Sequence, residues 1–474
     1  MTKTYITTMP DKAGAFLIAS EIVSSYGGNI TRVSYNKVID SNTLFLDVQG
    51  EEEIIGKITE ELKALGYLLD NKHMIKNKVI LMEFKLLDVP GSVKPVLEII
   101  NHYEINISYI SSQENGTEYQ NFRMGLVIEK PRVIKRFLDE ISRLCKVRIL
   151  EYDITEKMLD NTVFYLGFAD AMTTLFKLNH DQTNEVIINS NKIMQMLDAR
   201  NENPYKTFEY IRKFANYIYN RKGAKFNPIF SHRKLSEEVT LHLIEPPYGS
   251  NTFILESGSD LLFIDGGFPC YLGEMQIILN NYFPDFNKRK KRLVLTHSDI
   301  DHTGLIPLFD EVLVSARSYE NFWLENNGEI NFREQNAAHA PYARLSRVIT
   351  GYRPVDLGKL KIIGKKNDEM LLSGIGEIAF GDMLLEVLEG DGGHVQGEII
   401  LVCEDRNIVF SGDLLVNIKG FSKDQADFNI LAPYLMTSVN VDSAKASQIR
   451  ELISSSYGDF LVCCGHGTFM ENGS

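Results

Sequence analysis

Seven residues of this chain recur at one fixed spacing. Asp11, Gly14, Glu21, Ile22, Tyr26, Asn29 and Ile30 return 77 positions later as Asp88, Gly91, Glu98, Ile99, Tyr103, Asn106 and Ile107. A constant offset over so many identities marks two copies of one structural unit, which must bury their apolar faces in the same way. Each copy opens with an apolar strand, Thr4 to Thr8 or Val79 to Leu86, and turns through a glycine into a helical stretch, Ala15 to Ser25 or Val93 to Tyr103. Asn-Ile and a second strand pattern follow. Thr43 to Val48 with Glu53 to Leu65, and Phe122 to Ile128 with Pro131 to Leu144, complete the copies. The order is β-α-β-β-α-β, the ferredoxin-like plan, placed at residues 1–76 and 77–152.

The turns Met9-Pro10-Asp11-Lys12-Ala13-Gly14 and Leu87-Asp88-Val89-Pro90-Gly91, each running into a helix and then Asn-Ile, resemble those of ACT domains. That resemblance implies paired domains sharing a continuous sheet, with a small effector, often an amino acid, near the glycine turn and the Asn-Ile segment. By position, the candidate effector segments are Asp11 to Gly14 with Asn29 and Ile30, and Asp88 to Gly91 with Asn106 and Ile107. Backbone geometry alone also accounts for Gly14 and Gly91, and turn bonding for Asn29 and Asn106.

A second feature lies far downstream, in Thr296-His297-Ser298-Asp299-Ile300-Asp301-His302-Thr303-Gly304. The apolar run Leu293 to Leu295 before it reads as a buried strand, and Gly304-Leu305-Ile306 after it reads as a helix start. Residues two apart in an extended segment point the same way, so His297, Asp299 and Asp301 converge, and the turn brings His302 to them. Two His and two Asp within six positions are costly to desolvate unless a cation compensates them.

Length and composition bound the rest. At 474 residues the chain needs two to four domains, and its apolar share of 44% is that of a globular protein. With no apolar run of about eighteen residues and no basic-then-apolar leader, neither a membrane span nor a signal peptide is expected, and the cytoplasm is the expected location. A formal charge of -13 disfavours nucleic acid and anionic membranes as partners, the run Lys288 to Arg292 reading as a solvated strand entrance. Five scattered cysteines without a C-x-x-C suit a reducing compartment and packed thiols.

Between the repeat and the loop, residues 153–234 read as a helical connector. Met158, Phe164, Leu166, Ala169, Met172, Leu175 and Phe176 fall at helical spacing, as do Phe208, Ile211, Phe214, Ala215 and Ile218, with Asn201-Glu202-Asn203-Pro204 between the groups. Such a segment suits dimerisation, so a homo-oligomer is expected, and Gly223 to Arg233 reads as linker. A third domain, 235–474, opens with strand patterns at Val239 to Ile244, Asn251 to Leu255 and Leu261 to Ile264, the last ending in Asp265-Gly266-Gly267. Further His and Asp signals follow strand-like runs at His394, Asp413 and His466, the usual place for functional groups in layered α/β folds.

This ordered set, Asp265-Gly266-Gly267, the 297–302 loop, His394, Asp413 and His466, resembles the metallo-β-lactamase fold. The resemblance covers about 239 to 470 and implies a four-layer αβ/βα sandwich with a two-metal site at the sheet edges. Carried over by position, one ion would be held by His297, Asp299 and His394. The other would take Asp301, His302 and His466, with Asp413 bridging and Asp265 orienting ligands or buttressing the loop. The family's common loop is H-x-H-x-D-H, whereas Asp299 stands here in place of the second His. More oxygen and less nitrogen shifts the preference from zinc toward iron or manganese. A carboxylate at this point is also found in the flavodiiron branch and its oxygen-binding diiron relatives, usually as Glu, and as Asp in a DNA-uptake hydrolase-like branch.

The resemblance therefore admits two chemistries. A dinuclear hydrolase acts on a small-molecule substrate, with Asp301 or a substrate group protonating the leaving atom. A diiron protein binds or reduces dioxygen; the chain ends eight residues past His466 without a flavin domain, so a reductase would need an external donor. A purely structural metal site is the third reading, against which the open bridging position argues. Substrate choice is expected in the insertion Ser318 to Lys366, where Tyr319, Trp323, Arg333, His339, Tyr342, Arg344 and Arg353 offer rings and charges, His339, Tyr342 and Arg344 being the candidate substrate contacts; a satellite core would explain the rings equally.

Overall fold

The computed structural model describes residues 1–8, 14–36, 43–65, 67, 79–113, 118–127, 131–151, 168–169, 171–200, 202, 204–367, 369–431 and 439–471. Asp11, the first helical group at Met158, Phe164 and Leu166, and Asn201 and Asn203 lie outside them. The chain divides into two compact units, residues 1–171 with 190–204, and residues 172–189 with 205–474.

In the first unit the repeat is realised as β1 (Thr2–Thr8), α1 (Ala15–Ser25), β2 (Asn29–Asn36), β3 (Thr43–Gln49) and α2 (Glu52–Ala64), then β4 (Val79–Leu87), α3 (Lys94–His102), β5 (Asn106–Gln113), β6 (Tyr119–Val127), α4 (Pro131–Leu144) and β7 (Lys146–Glu151). Both copies join one seven-stranded sheet, β1-β3-β2-β5-β6-β4-β7. The seam is the antiparallel pair β2–β5, in which Ser34 faces Ser111, its own counterpart 77 residues on, so a pseudo-two-fold axis passes there. Equivalent irregularities, between Ile30 and Arg32 and between Ile107 and Tyr109, kink the two seam strands alike. One core serves both copies: Phe16, Ala19 and Val23 of α1 are buried with Val96, Leu97 and Ile100 of α3 over Val33, Leu46, Phe84 and Met124 of the sheet. Helix α5 (His180–Ala199) follows; its Asn191 and Gln195 meet a buried polar patch around Arg32 and Asp47.

The second unit takes residues 180–189 of α5 and residues 205–220 of α6 (Pro204–Asn220). One sheet, ordered β14-β13-β12-β11-β10-β9-β8, comprises β8 (Ile229–Lys234), β9 (Thr240–Glu245), β10 (Thr252–Ser257), β11 (Asp260–Ile264), β12 (Lys291–Val294), β13 (Val312–Val314) and β14 (Leu360–Ile362). The other, in chain order, comprises β15 (Leu372–Phe380), β16 (Met383–Gly390), β17 (Ile399–Cys403), β18 (Ile408–Gly412) and β19 (Leu461–Cys464). The sheets face each other through Leu243, Phe253, Leu255, Val294, Leu385, Val387, Leu401, Phe410 and Cys463. Helices complete the outer layers: α7 (Leu272–Tyr282) buries Met275 and Leu279, α8 (Ala316–Asn326) buries Phe322, and α9 (Ala340–Thr350) buries Leu345 and Ile349. Beyond α10 (Lys423–Asn429), α11 (Ser443–Tyr457) lays Ile449 and Ile453 on Ile400, Val409 and Val462. The fold is thus mixed α/β, a duplicated antiparallel sheet with helices in the first unit and a four-layer αβ/βα sandwich in the second.

Two local expectations need correction. Residues 229–233, read as linker, belong to edge strand β8, whose mostly exposed side chains carry no alternation and which backbone bonds to β9 hold in place. After Gly304 there is no helix but a 3₁₀ turn, Ile306–Leu308, because buried Phe309 directs the chain almost at once into β13.

Candidate metal centre

The 297–302 loop leaves the end of β12 and is clamped to the turn after β11. Asp265, at φ 60, accepts hydrogen bonds from Thr296 N at 2.8 Å and Thr296 Oγ1 at 2.7 Å, and lies 2.9 Å from His302 Nδ1. A left-handed aspartate is uncommon, and three contacts on one carboxylate compensate the strain. Gly304 is required for the same clamp: a Cβ there would sit 2.6 Å from the carbonyl oxygens of Gly267 and Phe268.

The remaining candidates converge from the second sheet, His394 after β16, Asp413 after β18 and His466 after β19. Asp299 Oδ2 lies 3.4 Å from His297 Nε2 and 3.2 Å from His394 Nε2. Asp413 reaches His302 Nε2 at 3.3 Å through Oδ1, and His466 Nε2 at 3.2 Å and His394 Nε2 at 3.6 Å through Oδ2, so it stands between two groups. Asp301 completes the second group, its Oδ2 3.4 Å from His466 Nε2. Ligands about 2.1 Å from one ion in tetrahedral array stand about 3.4 Å apart, which is the spacing found. His297 Nε2, His302 Nε2 and Asp413 Oδ1 are buried and make no hydrogen bond among the described residues, a costly state that a bound cation would relieve. Two outer nitrogens are hydrogen-bonded: His297 Nδ1 lies 3.0 Å from Thr296 Oγ1 and His394 Nδ1 3.0 Å from Asn440 Oδ1, which turns each Nε2 lone pair inward.

The side chains of the cluster form a web of opposed charges. Burial disfavours every charged form in it, yet the partners outweigh burial. Asp299 is held well below the usual carboxylate range by Arg333 and His297, and Asp413 likewise by His466 and His302. Burial works against His466 too, but Asp413 and Asp301 push it up to about 10. His297 moves the other way, lowered by burial and by the neighbouring His302.

A cavity of about 280 Å³ opens on the cluster at Asp299, Asp301, His394, Asp413 and His466. Its far wall is aromatic. Phe428 stacks on Tyr248 with ring centroids 4.7 Å apart and lies 5.4 Å from Phe214, while Phe268, Phe421, Tyr342 and Tyr352 add further rings. Of the three candidate substrate residues in the insertion, Tyr342 lines this cavity. His339 instead occupies the N-terminal cap position of α9, and Arg344 is turned to Glu334, Nη2 to Oε2 2.8 Å; neither belongs to the cavity wall. Arg347, the other arginine on α9's inner side, is paired with Glu325 at 2.6 Å and Glu334 at 3.0 Å. Sequence reasoning missed Arg333 as part of the cluster. It grips Asp299 and His394, and only an arginine among rings in an insertion hinted at it.

The effector segments come together crosswise. Gly91 shares a crevice with Asn29 and Ile30 of the other copy, and Gly14 shares one with Asn106 and Ile107. Each has a volume of about 10 Å³. Asp88 is described but lines neither crevice.

The family model of the metallo-beta-lactamase superfamily matches residues 246–466. These residues form a metallo-beta-lactamase superfamily domain. No curated protein matches the chain. Among solved structures, the chain is similar to a metallo-beta-lactamase from Pontibacter korlensis, at 15% identity over 51% of this chain and 94% of that one, TM-score 0.32. It is also similar to the DIM-1 metallo-beta-lactamase, at 16% identity over 52% and 93%, TM-score 0.30. A variant of the flavo di-iron protein from Thermotoga maritima aligns at 14% identity over 52% of this chain and 58% of that one, TM-score 0.33. Among the described residues, no helix is long and apolar enough to cross a membrane.

Proposed function

We propose that the chain is a metal-dependent hydrolase whose ions are held by His297, Asp299 and His394 and by Asp301, His302 and His466, with Asp413 shared. Divalent ions held there would make hydroxide available near neutral pH and polarise a carbonyl or phosphoryl oxygen. The observation that carries the reading is the cavity: about 280 Å³ of space with an aromatic wall, opening on the cluster, suits an organic substrate. Dioxygen needs no such room. The aromatic wall would hold a ring or acyl group by stacking and burial, and the arginines on α9 are already neutralised by glutamates, so an apolar rather than a strongly anionic substrate is favoured. Asp301 lines the cavity with Oδ2 turned to His466 and Oδ1 toward His302, and its carboxylate would take the proton released as water becomes hydroxide and return it to the leaving atom.

Asp299 favours a second reading, a diiron oxygen-binding protein, because it makes the ligand set rich in carboxylate. Anaerobic purification, metal counting and an absorption spectrum before and after air separate the two. About two irons with bands that change in air would displace the hydrolase reading. Zinc or manganese, an unresponsive spectrum and turnover of aryl or acyl esters, lactones, thioesters or phosphodiesters would support it. Regulation by a small effector belongs to the crosswise crevices. Each has room for about one water, so an effector would have to part them. A screen of amino acids and nucleotides that never raises the melting temperature would leave the repeat an architectural role.

A further inference from the structure

The first metal position already contains a cation of the chain's own. Of the three side chains that converge there, two direct their ligand atoms at Arg333. Its Nε donates to Asp299 Oδ1 at 2.7 Å, and its Nη2 bonds both Asp299 Oδ2 and, at 2.9 Å, His394 Nε2. Because His394 Nδ1 faces Asn440 Oδ1, Nε2 is the nitrogen with the lone pair, and the guanidinium takes it. A divalent ion needs that same nitrogen lone pair, which serves one partner at a time, although each Asp299 oxygen has a second lone pair to offer. Ion and guanidinium cannot both take the nitrogen.

The arm is built into the fold. Arg333 sits in the 3₁₀ turn Phe332–Glu334, capped by Asn331, whose side chain accepts from Glu334 N at 3.0 Å. Asn321 ties this turn to the metal loop itself, accepting from Phe332 N at 2.8 Å and donating to Ser298 Oγ at 2.9 Å. Behind it, Glu334 is fastened by Arg344 and Arg347. Arg333 Nη1 donates to Val439 O at 2.6 Å, so all three guanidinium nitrogens are engaged. A bidentate pair of this kind, largely withdrawn from water, is strong and geometrically specific. The second position differs. Asp301 and Asp413 meet only histidines there, and among the described residues no Lys or Arg nitrogen lies at ion-pair distance from either.

We propose that Arg333 is the resident cation of the first position, so that the chain binds one divalent ion tightly among Asp301, His302, His466 and Asp413 and a second only when the arm is dislodged. The inference rests on the metal reading above and deepens it: the two positions load unequally.

Full-length protein stripped with a chelator, titrated calorimetrically with Mn(II) and counted for metal after desalting, tests this. Wild type is expected to retain one ion, with the second bound about a hundredfold more weakly. Arg333→Ala, checked for folding by circular dichroism, is expected to retain two ions with affinities within about tenfold of each other. Two equally tight ions on wild type would overturn the proposal, as would a folded Arg333→Ala chain that still retains one. Should that variant not fold, Arg333→Met replaces it, and the wild-type count stands by itself. No ion on either protein would sink the metal reading underneath, whereas one tight ion without hydrolysis would sink the hydrolase reading alone.

Discussion

Asp265 Oδ2 lies 2.9 Å from His302 Nδ1, and the same carboxylate holds Thr296 by two further bonds. One side chain from the first sheet therefore sets both the path of the metal loop and the ring orientation of a ligand. Asp265→Ala is expected to leave a folded chain whose metal affinity, measured against a competing chelator, falls about 10- to 100-fold. Unchanged affinity would show that the loop is positioned by its backbone alone.

Gly304→Ala would press a methyl group against the carbonyls of Gly267 and Phe268. Backbone cannot yield as a flexible side chain does, so the change is expected to cost about 1–3 kcal/mol in urea unfolding and to lower metal retention along with it. Loss of stability without loss of metal would separate the clamp from the site.

Phe428→Ala opens the aromatic wall 4.7 Å from Tyr248 without touching the ligands. For an ester with an aromatic group, KM is expected to rise about tenfold while kcat changes little. An equal effect on a small acetyl ester would show that the wall does not read the substrate.

The Arg32–Asp47 pair makes the first unit sensitive to acid. Burial raises the Asp47 carboxyl, but Arg32, whose Nε lies 2.8 Å away, and Lys192 outweigh it and hold it below the usual range. An unfolded aspartate titrates near about 3.9, so the pair's contribution is complete above that pH and is lost as the pH falls through the lower folded value. Hydrogen exchange in β2 and β3 should therefore quicken on acidification below about pH 4, and less so in Asp47→Asn. Asp47→Ala, which leaves Arg32 buried and unpaired, is expected to cost about 3–5 kcal/mol at neutral pH.

The loop was legible because its chemistry is local. His297, Asp299, Asp301 and His302 sit within six positions, and strand periodicity suffices to aim them together. His394, Asp413 and His466 were found by the strand-like runs before them. Arg333 was not, since its partners depend on how an insertion of helices and turns folds back on the loop, which no periodicity encodes. The repeat announced a shared sheet, yet the crosswise pairing of Gly91 with Asn29 and of Gly14 with Asn106 depends on which edges meet. Strand β8 was hidden for a simpler reason: an edge strand with exposed side chains is held by its backbone, and backbone bonds leave no mark on composition.

The seam at Ser34 and Ser111 makes the two halves of the sheet near equivalents, but among the described residues the fully buried ion pair, Arg32–Asp47, lies in one half. The counterparts of Arg32 and Asp47, 77 residues on, are Tyr109 and Met124. A single helix laid over a two-fold surface would meet two orientations of nearly equal energy. Asn191 and Gln195 both accept from Arg32, and Gln195 also bridges to Ser111, so the helix has one way round in which its amides find a charge. Duplication built the platform, and the loss of symmetry at two positions lets it distinguish left from right.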